Sequence, residues 1–167
     1  CRDAVWLADE NAWSPMECEM RLLWEGAGFP RPLTNRPVFD LDGRHLGTPD
    51  LIDPAAGVVG EYDGAGHRDR GQHTYDIVRN DRLRSHGLEE AVMVADDRHD
   101  PRAFLERLRG AYARAAQLPA SRRQWTLDLP DWWCATFTVE QRRALDAGER
   151  AVWLRHRAAW TASCSIV

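Results

Sequence analysis

The chain is 167 residues long, 44% hydrophobic and 29% charged, with a formal net charge of −4. That describes one ordinary domain, or one domain with an appendage, with enough apolar residues for a core. It excludes the strongly basic profile of a generic polyanion binder. No apolar run approaches the roughly 20 residues of a membrane helix, so no membrane partner is expected.

All 22 basic residues are arginine, so any chemistry that needs an ammonium group must be done by something else. The four cysteines (Cys1, Cys18, Cys134, Cys164) are far apart and form no C-x-x-C pair. Free thiols in a reducing cytoplasm are expected rather than disulfides or a zinc site. No basic and apolar signal segment opens the chain. Its start at Cys1 rather than Met points to an excerpt or processed product, with an N-terminal region ahead of it.

Ser14-Pro15-Met16-Glu17 reads as a helix start, with Ser at the N-cap, Pro at the first helical position and Glu at the capping-box position. Met16, Met20, Leu23 and Ala27 recur at helical spacing until Gly26 and Gly28 stop the helix. Residues 36–41 and 44–51, joined by Asp42-Gly43, read as a β-hairpin. Residues 58–62 form a third, buried strand, and Gly64 and Gly66 open a loop. A helix is expected over 74–86, ending at Gly87, and a strand over 91–95. A second amphipathic helix follows over 101–117, burying Phe104, Leu105, Leu108 and Tyr112. This order implies an α/β domain over residues 14–117, built as a mixed sheet of about four strands flanked by helices. Residues 118–167 change character, being rich in Trp and Arg. They read as a helical C-terminal extension packed on the domain, with helices over 138–147 and 149–160.

The stretch "GTPDLIDPAAGVVGEYDGAGHRDR" carries the chemistry. Asp50 ends the second strand of this reading and Glu61 lies near the end of the third, so paired strands bring two carboxylates to one edge. Asp63 shares the face of Glu61, because side chains alternate with period two. Mg²⁺ or Mn²⁺ suits such a pair: Mg²⁺ takes one or two protein carboxylates, keeps waters, and lets a substrate phosphate complete its octahedron. Glu17 is a further candidate ligand from the first helix, although its capping position explains it equally well.

"SPMECEMRLLWEGAGFPRP", "PDLIDPAAGVVGEYDGAGHRDR" and "YDIVRNDRLRSHG" together resemble an uncharacterised bacterial family of the PD-(D/E)XK, restriction-endonuclease-like superfamily. That family is related to the very-short-patch-repair endonucleases. The resemblance covers residues 14 to about 117, and "WTLDLPDWW" resembles an extension seen in the family. It implies a restriction-nuclease core, a DNA substrate, and Asp50 and Glu61 as metal ligands. The superfamily pattern would put lysine at position 63, where this chain has Asp63. In the patch-repair relatives a histidine shortly after the motif does base work, and His67 stands in a comparable place. A histidine is apt for it, with an ordinary pKa near 6.5.

Asp76, Arg79 and Leu83 fall on one helix face, so Arg79 either pairs with Asp76 or presents its fork to a phosphate. From His67 to His86 five Arg stand against three Asp, and Arg68, Arg79 and Arg82 are the candidate nucleic-acid contacts. The bland reading of that run is a solvated helix face. His67, His73 and Asp69 lack a fourth ligand at zinc spacing. Trp132-Trp133 reads as a packing anchor rather than a base-stacking platform. Three functions follow from these residues: a metal-dependent DNA endonuclease, a non-catalytic module binding nucleic acid or protein (part of a transcriptional regulator or antitoxin-like protein), and a purely structural α/β domain.

Overall fold

The computed structural model describes residues 9–64 and 81–164, with side chains through residue 155. Helix α1 (Pro15–Gly26) starts as the sequence dictates, with the Ser14 side chain accepting from the Glu17 N–H at 3.2 Å. The reciprocal half of the expected capping box is absent. The Glu17 carboxylate accepts instead from the N–H of Trp13 at 2.7 Å, one residue further back. The face that α1 buries is Glu17, Met20, Arg21 and Trp24, not the Met16–Met20–Leu23 line. Arg21 is fully buried and pairs with Glu25 one turn on, its guanidinium 2.5 Å from the carboxylate.

Among the described residues, seven short strands make two sheets. β1 (Leu33–Thr34), β4 (Leu51–Asp53), β5 (Val58–Asp63) and β6 (Glu89–Val94) form the first, in the order β1-β4-β5-β6. β5 pairs antiparallel with β4 and parallel with β6, so the sheet is mixed. β2 (Val38–Asp40), β3 (His45–Gly47) and β7 (Trp125–Thr126) form the second, in the order β3-β2-β7. The expected hairpin around Asp42-Gly43 is present as β2–β3. Its second strand stops at Gly47, however, and what read as one strand over 44–51 is two. Thr48-Pro49-Asp50 carries the chain from one sheet to the other, and proline, with no N–H to donate, is apt at such a break.

Helix α2 (Arg102–Ala115) lies with α1 on one face of the four-stranded sheet. Met20 and Trp24 from α1 and Phe104, Leu108 and Ala111 from α2 close over Leu51, Val58, Ala91 and Met93. Gly60 allows this close packing: a Cβ would stand 3.0 Å from the Trp24 ring and 3.3 Å from Leu51 Cβ, so a neighbour would have to give by a few tenths of an ångström. Tyr112, which the helical spacing placed inward, stacks on Phe29 at 4.1 Å and donates its hydroxyl hydrogen to Asp53 Oδ2 at 2.7 Å. It also accepts from Trp24 Nε1 at 3.2 Å.

The other face holds Ile52 and Val59 with Leu83, Leu88, Val38, Leu46 and Trp125. Leu83 comes from a helical turn at residues 81–85, the described end of the helix expected over 74–86. Thus α1 and α2 cover one side of the mixed sheet, and this turn packs on the other with the small sheet. The tail contributes β7, which the sequence reading missed, through Trp125, 3% exposed. Beyond it lie α3 (Val139–Ala144), capped by Thr138, and α4 (Ala147–Cys164). Trp132 does not anchor the tail as expected, being 61% exposed, although it touches Phe39 edge-on together with Trp133. Among the described residues no helix is long and apolar enough to cross a membrane.

Candidate metal centre

Asp50 stands immediately before β4 and not at the end of the hairpin strand, as the sequence suggested. This correction strengthens the pairing, since β4 rather than β3 is the neighbour of β5. The register sets Leu51 across from Gly60 and Ile52 across from Val59. Asp50 is one residue beyond this pairing, at the bend that leads into β4. Glu61 follows Val59 by two on β5 and so takes the face of Ile52 and Val59, away from α1 and α2. Asp50 Oδ2 accepts from the Tyr62 N–H at 2.7 Å, which fixes its carboxylate against the end of β5.

Both carboxylates are buried, Asp50 at 4% and Glu61 at 9% exposure. Asp63, half-buried, follows on the same side of β5. Two buried carboxylates at neighbouring strand ends, with Asp63 two residues on, are hard oxygen donors. The residues therefore fit Mg²⁺ or Mn²⁺ in kind, since one or two protein carboxylates are what Mg²⁺ takes. No group of three His, Cys, Asp or Glu side chains among the described residues is placed to hold an ion. The centre these residues could make is a two-carboxylate one.

Glu17 is not brought directly onto this pair by any contact described. Its Oε2 accepts from Trp13 N and, at 2.6 Å, from Asn35 Nδ2. The backbone N–H of Asn35 in turn donates to the Asp50 carbonyl oxygen at 2.9 Å. Glu17 therefore reaches Asp50 through Asn35. The sequence reading missed Asn35, although an asparagine in "LTNRP" is the residue type, glycine aside, that best tolerates a positive φ, and its φ is 46°. Beside it, burial lowers the pKa of Arg36, whose guanidinium lies 3.8 Å from the centroid of the Phe137 ring. On α1, burial raises the pKa of the Cys18 thiol, partly offset by Arg21 and reinforced by Glu17 and Asp9.

His67, Arg68 and Arg79 lie outside the described residues, as do His73, Asp69 and Asp76. Arg82 is exposed on the helical turn whose Leu83 packs beneath the same face as Val59. The fold and the site define a mixed α/β domain with a buried carboxylate pair at the end of adjacent antiparallel strands. No protein-family model, curated protein or solved structure matches the chain.

Proposed function

We propose that the protein is a divalent-metal-dependent DNA endonuclease of the restriction-endonuclease-like class, with Asp50 and Glu61 as the ligands of Mg²⁺ or Mn²⁺. The observation that supports this reading is the bond from the Tyr62 N–H to Asp50 Oδ2, which holds one buried carboxylate against the end of β5 that carries the other, Glu61. When bound, the ion supplies charge neutralisation at the phosphate and a bound water of lowered pKa. Asp50 is held for this by the Tyr62 N–H, and Asp63 adds negative charge beside the pair. His67 takes the proton from the attacking water, which it can do only when neutral. Cleavage should therefore rise with pH through about 6.5, the ordinary histidine value. Arg68, Arg79 and Arg82 are the proposed phosphate contacts, in keeping with the arginine excess around them.

The test is Mn²⁺ calorimetry together with cleavage of plasmid and single-stranded DNA. Asp50→Asn and Glu61→Gln keep the shape of each side chain, and Asn keeps an acceptor for Tyr62. Each should abolish both metal binding and cleavage. His67→Ala should keep binding and lose on the order of 10²- to 10⁴-fold in rate. Cleavage that survives Glu61→Gln would overturn the metal assignment. A second reading, a non-catalytic module that binds nucleic acid or a protein partner, is favoured by Asp63 standing where a lysine is expected. Metal binding without cleavage of any DNA form would establish it.

A further inference from the structure

Asn35 combines three features that a loop residue rarely has together. It is 2% exposed, its backbone is left-handed at φ 46°, and its amide oxygen Oδ1 is buried with no hydrogen-bond partner. Its other polar groups are fully used. Nδ2 donates to Glu17 Oε2 at 2.6 Å and to the Asn11 carbonyl at 2.8 Å, which settles which side-chain atom is nitrogen. The backbone N–H donates to the Asp50 carbonyl, and the Asn35 carbonyl accepts from Asn11 Nδ2 at 3.2 Å. One residue thus joins the start of α1, through its side chain, to the residue that leads into β4, through its backbone N–H.

We propose that Asn35 is a positioning residue of the carboxylate centre, its side chain orienting the Glu17 carboxylate while its backbone N–H holds the residue that leads into β4. This rests on the metal-centre reading above. The left-handed backbone explains the residue type. Asparagine adopts that conformation readily, whereas aspartate would set a carboxylate against that of Glu17.

Asn35→Gly tests this, because glycine accepts the same φ and keeps the N–H to Asp50 while removing the link to Glu17. Asn11→Ala is the structural control. It breaks the bonds to the Thr34 and Asn35 carbonyls but leaves the Asn35–Glu17 contact. Mn²⁺ affinity is measured by calorimetry on each full-length variant, below its melting temperature. Asn35→Gly should weaken Mn²⁺ about 10- to 100-fold, the usual loss when a group that orients a ligand is removed. Asn11→Ala should leave affinity within about threefold of wild type. Glu17→Gln should weaken binding alone but add little to Asn35→Gly, as expected if the two act as one unit. If wild type binds Mn²⁺ and Asn35→Gly binds it equally well, the positioning role is refuted and the metal centre stands. If wild type binds no Mn²⁺, both fall together.

Discussion

The docking of the C-terminal extension can be tested at a single glycine. Gly87 has φ 89°. A Cβ at this position would fall well inside van der Waals contact of the Arg122 carbonyl oxygen and 2.8 Å from its carbonyl carbon. The tail therefore passes over residue 87 backbone to backbone. The Gln124 N–H donates to the His86 carbonyl at 3.0 Å, and Trp125 enters the core one residue later. Gly87→Ala meets two penalties. A positive φ costs a non-glycine residue about 1–3 kcal/mol, and overpacking against a backbone that cannot rotate away costs about 1–3 more. The expected loss is then about 2–6 kcal/mol. At roughly 2–4 °C per kcal/mol for a chain this size, the melting temperature should fall by about 4–24 °C. Calorimetric melting of wild type and variant measures it directly. Gly87→Asn separates the penalties, since Asn tolerates positive φ but carries the same Cβ, so it should retain most of the steric part. A Gly87→Ala protein that melts within about 2 °C of wild type would show that the tail is not seated on residue 87.

The Tyr112 hydroxyl serves two buried partners, Asp53 and Trp24, so Tyr112→Phe should cost about 2–4 kcal/mol in urea denaturation. Burial first, and then Asp53, raise the Tyr112 pKa above its ordinary 10.0. The unfolded tyrosine ionises as pH rises past 10 while the folded one keeps its proton. Stability is therefore full below pH 10 and declines above it, and Tyr112→Phe should flatten that decline. An identical high-pH slope in the variant would contradict the assignment. Mn²⁺ at about 100-fold over its dissociation constant should stabilise wild type by about 2.7 kcal/mol, a rise in melting temperature that Asp50→Asn and Glu61→Gln should both remove. Trp125→Ala should cost about 3–5 kcal/mol. Trp132→Ala, at a residue 61% exposed, should cost at most about 1.5, and equal losses at the two positions would overturn the packing described for the tail.

What the sequence made legible follows from locality. The Ser14 cap, the D-G hairpin, the apolar run of β5 and the inward face of α2 each depend on residues within one turn or one strand of each other, and each is where the pattern put it. The misreadings share the opposite property. β7 is two residues long and exists only because β2 offers an edge to Trp125 and Thr126. β1 is likewise a two-residue strand that pairs with β4 across seventeen or more positions of chain. A strand of that length has no periodicity to detect, and its identity is conferred by its partner. The division of residues 44–51 between two sheets was hidden for the same reason, since an alternating apolar pattern does not say which neighbour it will meet.

The candidate centre divides along that line too. The eleven-residue separation of Asp50 and Glu61 was visible, and so was the face shared by Glu61 and Asp63, because alternation along a strand is a local rule. What aligns β4 with β5, and so brings Asp50 to the end of β5 that carries Glu61, is the turn between them. Asp53 Oδ1 accepts from the N–H groups of Ala55 and Ala56, and the Gly57 N–H closes back on the Asp53 carbonyl at 2.9 Å. That turn sets the register, and a slip of one residue would move Glu61 to the face of Trp24 and Met20. The negative charge of the centre is thus specified by a turn rather than by the acidic residues themselves. The same dependence explains why Glu17 read as a capping residue or a ligand with equal ease. Its position on α1 was local information, whereas Asn35, eighteen residues away, determines what its carboxylate meets.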